Sequence, residues 1–403
     1  MSKTSFAGLG VSAAVCAALE ERGITTPFPV QSLVIGDVAA GHDVLVASPT
    51  GSGKTLAFSV PLVDRLQATG PRPAALILVP TRELASQIVE EARTVAHARA
   101  LSITAVYGGV GIQPQIRAVR KAHILVATPG RLQDLLDRDA VDLSRVQTLI
   151  LDEADRMLDM GFRPAIDRIV KRTPADRQTL LFSATLDGAP GNLAAAYTRD
   201  ARRHSHRPEI DPKAVTEHRF LPVLHEEKID HLVRELNDDT RGLTLVFVRT
   251  KRGADRLVKR LGSRGESAVA MHGDRSQAQR QKALARFEAG DVRTLVATDV
   301  AARGIDVDGI THVINFDAPE DSDAYVHRIG RTGRAGRSGI GITFVLADQA
   351  HEIGRIATGL GLDSQFAGAG FETAPSSHSR PASVRSQRPS RRPRQQQRSR
   401  GRR

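Results

Sequence analysis

Two short motifs about a hundred residues apart restrict the fold of this chain more than anything else in it. The first, ASPTGSGKT at residues 47–55, follows the apolar run Val44-Leu45-Val46. Glycines there let a backbone close around phosphate with its N–H groups turned inward. Lys54 would reach the β- and γ-phosphates, and the Thr55 hydroxyl suits Mg²⁺. The strict spacing G-x-x-x-x-G-K-[ST] wants glycine at position 48, where Ser48 stands. The second motif, LILDEAD at 149–155, ends an apolar run on Asp152 and Glu153. Carboxylates at the carboxyl end of a central parallel strand face the ligand crevice of an open α/β sheet. Together the motifs predict a site for nucleoside triphosphate hydrolysis. Asp152 would hold Mg²⁺ through water, because magnesium dehydrates reluctantly. Glu153 would orient the attacking water.

Around these motifs, short apolar runs alternate with amphipathic, helix-like segments. The runs fall at 44–46, 76–79, 124–127, 149–151 and 180–182, then at 245–248, 295–297, 313–314 and 342–345. Strands alternating with helices predict parallel sheets covered on both faces. The two halves also echo each other. LILVPT at 76–81 matches LVFVRT at 245–250, LVAT at 125–128 matches LVAT at 295–298, and Gly109 matches Gly273. These offsets of 169, 170 and 164 residues suggest two copies of one fold. In the second copy the place of the glycine loop, near 216–224, holds no glycine. That half must therefore contribute to a nucleotide site from across an interface.

The change between copies falls within RRHSHRPEIDPKA at 202–214, which is polar and carries two prolines. This predicts a first domain over 1–205, a linker over 206–215, a second domain over 216–370 and a tail over 371–403. Ser, Pro, Gln and Arg dominate the tail, which predicts disorder. Its last 24 residues, 380–403, hold ten Arg, no Lys and no acid, and so account for all but +2 of the net charge of +12. Such a segment reads as an electrostatic arm for nucleic acid, or as a solvated end. The single Cys16 excludes an intramolecular disulfide and Cys-rich zinc sites. The start, MSKTSFAGLG, has no signal-peptide apolar region, and no run is long enough to span a membrane. These features predict a soluble cytoplasmic protein.

From residue 6 to 347 the chain resembles the DEAD-box ATP-dependent RNA helicases of superfamily 2, which have two tandem RecA-like domains. Within that family, VRTKRGADRL and HGDRSQAQR look most like the bacterial RhlE-type branch. The resemblance implies ATP and Mg²⁺ as cofactors and RNA as partner. An adenine-reading segment matches 23–31, with Gln31 at the base edge and Phe6 as its isolated upstream aromatic. Ile24 stands where the family often has an aromatic. Ser48, Thr50, Gly51, Ser52, Gly53, Lys54 and Thr55 would hold the triphosphate. PTRELA at 80–85 with Arg82, the doublet Gly108-Gly109, and TPGR at 128–131 with Thr128 and Arg131 would line the RNA backbone. In the second domain Thr250, Gly273, Thr298 and Arg303 would do the same, and Asp306 would meet the ribose. Ser183-Ala184-Thr185 would link the ATP site to strand separation. HRIGRTGR at 327–334 supplies His327 and the arginine fingers Arg331 and Arg334. YTRDARRHSHRPEI at 197–210 lacks the apolar strand that often closes the first domain. The implied activity is RNA-dependent ATP hydrolysis with local opening of short duplexes. An ATP-gated RNA clamp or assembly factor carries the same motifs. A DNA translocase of the superfamily is the other rival, disfavoured by DEAD and the adenine-reading segment.

Overall fold

The computed structural model describes residues 5–48, 51–206, 216–238, 241–302, 305, 307–333 and 338–371. Two parallel sheets organise them. The first contains β1 (Val44–Ala47), β2 (Ala75–Leu78), β3 (Ile103–Val106), β4 (Ile124–Ala127), β5 (Thr148–Leu151), β6 (Gln178–Ser183) and β7 (Arg202–Ser205), in the spatial order β3-β4-β2-β5-β6-β1-β7. The second contains β8 (Thr216–Pro222), β9 (Leu243–Phe247), β10 (Val269–Met271), β11 (Thr294–Ala297), β12 (Ile310–Asn315) and β13 (Gly339–Val345), in the order β10-β11-β9-β12-β13-β8. Adding seven to the first six positions of one order gives the other. The repeat seen in the sequence is therefore a repeat of topology, and both halves are RecA-like α/β domains.

Alternation along each strand places the cores. Val44 and Val46 enter the apolar layer on one face of the first sheet, with Leu45 on the other. Leu245 and Phe247 divide from Val246 and Val248 in the second sheet in the same way. Side chains alternate faces along a strand, so helices can cover both sides only if the strands are apolar throughout.

The polar segment after residue 197 nonetheless forms a strand, contrary to the expectation from its composition. β7 adds to the open side of β1 in parallel, Val44 facing Arg202 and Ala47 facing Ser205. An edge strand needs main-chain partners more than apolar side chains, and exposed charge suits it. Arg202 and Arg203 are exposed accordingly, while His204 Nε2 lies 2.8 Å from Asp37 Oδ2. The proposed linker and tail fall almost wholly outside the described residues.

A buried ion pair joins the halves. Glu83, in the helix Arg82–Ala98, meets Arg280, in the helix Gln277–Glu288, at 2.9 Å, with both side chains under 10% exposed.

Candidate active site

The strand order brings the chemistry to one edge. β5, β6 and β1 are neighbours, so the residues after their carboxyl ends converge: Asp152-Glu153, Ser183-Ala184-Thr185 and the glycine loop. Ser48 N donates to Ser183 O at 2.9 Å, which ties the loop to β6. Gly51 and Gly53 take φ of +76° and +86°, left-handed values that a side chain would strain. Gly53 then caps the helix Lys54–Arg65. Thr55, in its first turn, is half-buried. Lys54 Nζ donates to Ser48 O at 2.9 Å, and the Ser48 and Ser52 hydroxyls are 2.7 Å apart. Ser48, where the strict pattern wants glycine, thus braces the loop through its carbonyl and its hydroxyl. Thr50 lies outside the described residues.

Asp152 and Glu153 are buried. Burial pushes the Asp152 carboxyl up to about 7 against the opposing pull of Lys54. Glu153 has φ +51°, a left-handed backbone in a non-glycine residue. Its buried Oε2 has no hydrogen-bond partner among the described residues, with Arg156 Nε 3.6 Å away. Asp152, whose charged form burial disfavours, is the carboxylate that a divalent cation would stabilise. Among the described residues no group of three or more His, Cys, Asp or Glu would cage a metal by itself. Asp155 links this corner to β6, its Oδ2 accepting from Ala184 N at 3.0 Å.

On the base side, Gln31 is buried and bridges two backbones. Its Nε2 donates to Gly53 O at 3.0 Å and its Oε1 accepts from Phe28 N at 2.8 Å. One amide hydrogen and one lone pair remain for a base edge. Phe6 differs from expectation. It is 3% exposed and enclosed by the apolar layer around Val11, Val15 and Val34, so its ring offers almost no face to a nucleotide.

The other half of the first sheet carries the candidate RNA residues. Arg82, Gly109 and Thr128 follow β2, β3 and β4, neighbours in the sheet. Gly109 has φ +82°, and a Cβ there would overlap the Arg82 guanidinium. Arg131 Nη2 donates to Val110 O at 3.1 Å, next to that turn. In the second sheet Thr250, Gly273 and Thr298 follow β9, β10 and β11, the equivalent neighbours. Thr250 caps the helix Lys251–Gly262 by accepting from Gly253 N at 3.0 Å. Arg303, Asp306 and Arg334 lie outside the described residues.

His327 and Arg331 follow β12 on the helix Ser322–Ile329 and just beyond it. They line a cavity of about 480 Å³ with Asp299 of the second half and Arg156 and Asp159 of the first. Arg331 is buried and its Nη1 donates to Ile305 O at 2.7 Å. Arg328, next to His327, makes a bidentate pair with Asp299 at 2.6 and 2.7 Å and so fixes the helix. Arg156 stands between Glu153 and this cavity. Sequence reading passed over Arg156, whose only signal is its place three residues after Glu153 on a helix.

A phosphate loop and an acidic pair on one RecA-like edge, facing an arginine-bearing edge of a second, define a two-domain nucleotide-driven motor of the helicase type. The DEAD/DEAH box helicase model matches residues 28–192, and the helicase conserved C-terminal domain model matches 227–336. The DEAD-box ATP-dependent RNA helicase CshA of Geobacillus kaustophilus is 42% identical over 361 residues, covering 88% of this chain and 75% of that protein. The ATP-dependent RNA helicase CshA of Listeria monocytogenes is 43% identical over 359 residues, covering 87% and 67%. Among solved structures, S. cerevisiae Dbp5 bound to RNA and ADP BeF3 has a TM-score of 0.80 at 29% identity, covering 89% of this chain and 94% of that one. A DEAD box protein from the hyperthermophile Methanococcus jannaschii has a TM-score of 0.52 at 36% identity, covering 89% and 97%. The chain belongs to the DEAD-box family of ATP-dependent RNA helicases.

Proposed function

We propose that this protein is an RNA-stimulated ATPase that opens short RNA duplexes locally or remodels RNA–protein complexes. The observation that carries the reading is the convergence of Lys54, Asp152 and Glu153 at the carboxyl ends of adjacent strands β5, β6 and β1. Lys54 and the amides of the loop, from Ser48 and Thr50 through Ser52, bind the triphosphate. Thr55 and Asp152 hold Mg²⁺, which screens phosphate charge when bound. Glu153 orients the attacking water and takes its proton. His327, Arg331 and Arg334 of the second domain act on the γ-phosphate, where guanidinium groups stabilise the charge that moves in the transition state. Gln31 reads the base edge and Asp306 the ribose. Arg82, Gly109, Thr128, Arg131, Thr250, Gly273, Thr298 and Arg303 carry the RNA backbone, a mode that tolerates sequence.

The proposed division is a first domain over 1–205, a linker over 206–215, a second domain over 216–370 and an arginine-rich tail over 371–403. It is supported by the end of β7 at Ser205, the start of β8 at Thr216 and the last helix, Asp363–Gly368. Relatives named CshA at 40–43% identity favour a CshA-type placement over the RhlE-type one suggested by 248–257 and 272–280. The proposed cytoplasmic location is supported by the single Cys16, which fits a reducing compartment; among the described residues no helix is long and apolar enough to cross a membrane.

The deciding experiment compares ATPase stimulation by RNA and DNA of equal length, beside opening of a short RNA duplex. RNA-selective stimulation with opening is expected. Equal stimulation by DNA would make the protein a translocase, and RNA-stimulated turnover without opening would make it a clamp.

A further inference from the structure

A lone exposed phenyl ring ordinarily needs no function. Phe28, 56% exposed, is set apart by what it touches. A Cβ on Gly53 would fall 2.6 Å from Phe28 Cδ2 and 2.7 Å from Gln31 Nε2, so ring and amide lie side by side against the glycine that precedes Lys54. The same three residues are bonded to each other, Phe28 N to Gln31 Oε1 and Gln31 Nε2 to Gly53 O. Pro27 and Pro29 flank the ring. A following proline confines a residue to extended backbone, and Phe28 has φ −67° and ψ 159°. The backbone that carries the ring is therefore confined, while the ring's outer surface stays in water. Phe6 is enclosed in the core, and Ile24 packs partly against the same layer.

We propose that Phe28 is the stacking surface for the nucleotide base, beside the Gln31 amide that meets the base edge. This rests on the reading of 51–55 as an ATP site. Stacking on a phenyl face favours any nucleotide over bare polyphosphate, and purines over pyrimidines through their larger ring area. Phe28 then sets affinity for the base while Lys54 sets affinity for phosphate.

The test titrates Mg²⁺-ADP and Mg²⁺-tripolyphosphate into the full chain and its Phe28→Leu, Phe28→Ala and Phe28→Tyr variants by calorimetry. Leucine keeps apolar bulk without the aromatic face. ADP affinity should fall about 10-fold in the leucine and alanine variants, on the scale of one aromatic–base stack. Tripolyphosphate affinity should hold, and tyrosine should restore ADP binding. Unchanged ADP affinity in Phe28→Leu overturns the proposal. Equal losses for ADP and tripolyphosphate also overturn it, making the ring a prop for the loop. Failure of the unaltered protein to bind either ligand would remove the ATP site itself, and the stacking role with it.

Discussion

At the residue scale the active corner is built from groups held against their preferences. Glu153 sits in left-handed backbone with a buried carboxylate oxygen, and burial raises the Asp152 carboxyl well above the ordinary carboxylate range. Backbone strain of this kind persists where the surroundings impose it, and it clusters at functional sites. Glu153→Gln preserves size while removing the proton acceptor. It should bind ATP and RNA but hydrolyse at least ~10²-fold more slowly, the scale for losing a general base. Single-turnover rates check this, and near-normal turnover would refute the assigned role. The phosphate loop and the acidic pair were legible in the sequence because each is a contiguous run whose residue types serve one chemistry. Arg156, Phe28 and the burial of Phe6 were not, because they depend on which residue from another segment arrives alongside.

At the element scale, Asp317 shows how the second sheet presents its arginine helix. It follows β12, and its carboxylate takes Lys228 Nζ from the helix Lys228–Leu236 and the Arg249 amide after β9, both at 2.9 Å. Its carbonyl accepts from Arg328 Nη1 at 2.7 Å, beside His327. Burial raises the Asp317 carboxyl, but the Arg249 amide and the Lys228 ammonium outweigh it and hold the group below the ordinary carboxylate range. A depressed folded value means stability that is present above about pH 4 and lost as pH falls through that value. Asp317→Asn should therefore lower stability at neutral pH by about 1 kcal/mol or more and flatten its acid dependence. Urea midpoints from pH 7 to 3 measure both, and an unchanged acid slope would rule the pairing out. The same scale explains what the sequence concealed. All nine apolar runs became β1, β2, β4, β5, β6, β9, β11, β12 and β13, the interior strands. The edges β3, β7, β8 and β10 escaped that pattern. A strand with one neighbour is less enclosed and can be written in polar residues, as RRHS of β7 is.

At the scale of the whole molecule, the Glu83–Arg280 pair couples the halves. Removing one partner of a buried pair leaves the other charged and unpaired, a heavier cost than removing both. Arg280→Ala should reduce RNA-stimulated kcat/KM by about 10-fold or more, while Glu83→Ala with Arg280→Ala should lose less than the two single effects combined. Strictly additive losses would show that the pair does not link the halves. The arginine-rich segment gives a prediction at this scale too. Deleting residues after Phe371 should weaken RNA binding most at low salt, removing a log–log salt slope of about −0.7 per phosphate contacted. Turnover at saturating RNA should change little. Parallel slopes with equal affinity would make the tail a bystander. The repeated sheet order has a last consequence. The chain holds two copies of one ATPase scaffold, but only the copy built on β1 retains a glycine loop, since β8 and the residues around it carry none. The expected stoichiometry is therefore one triphosphate per chain, which equilibrium nucleotide binding would measure. Each turnover would then spend a single hydrolysis event, so the length of duplex opened would be set by what one event displaces, not by a count of steps along the strand.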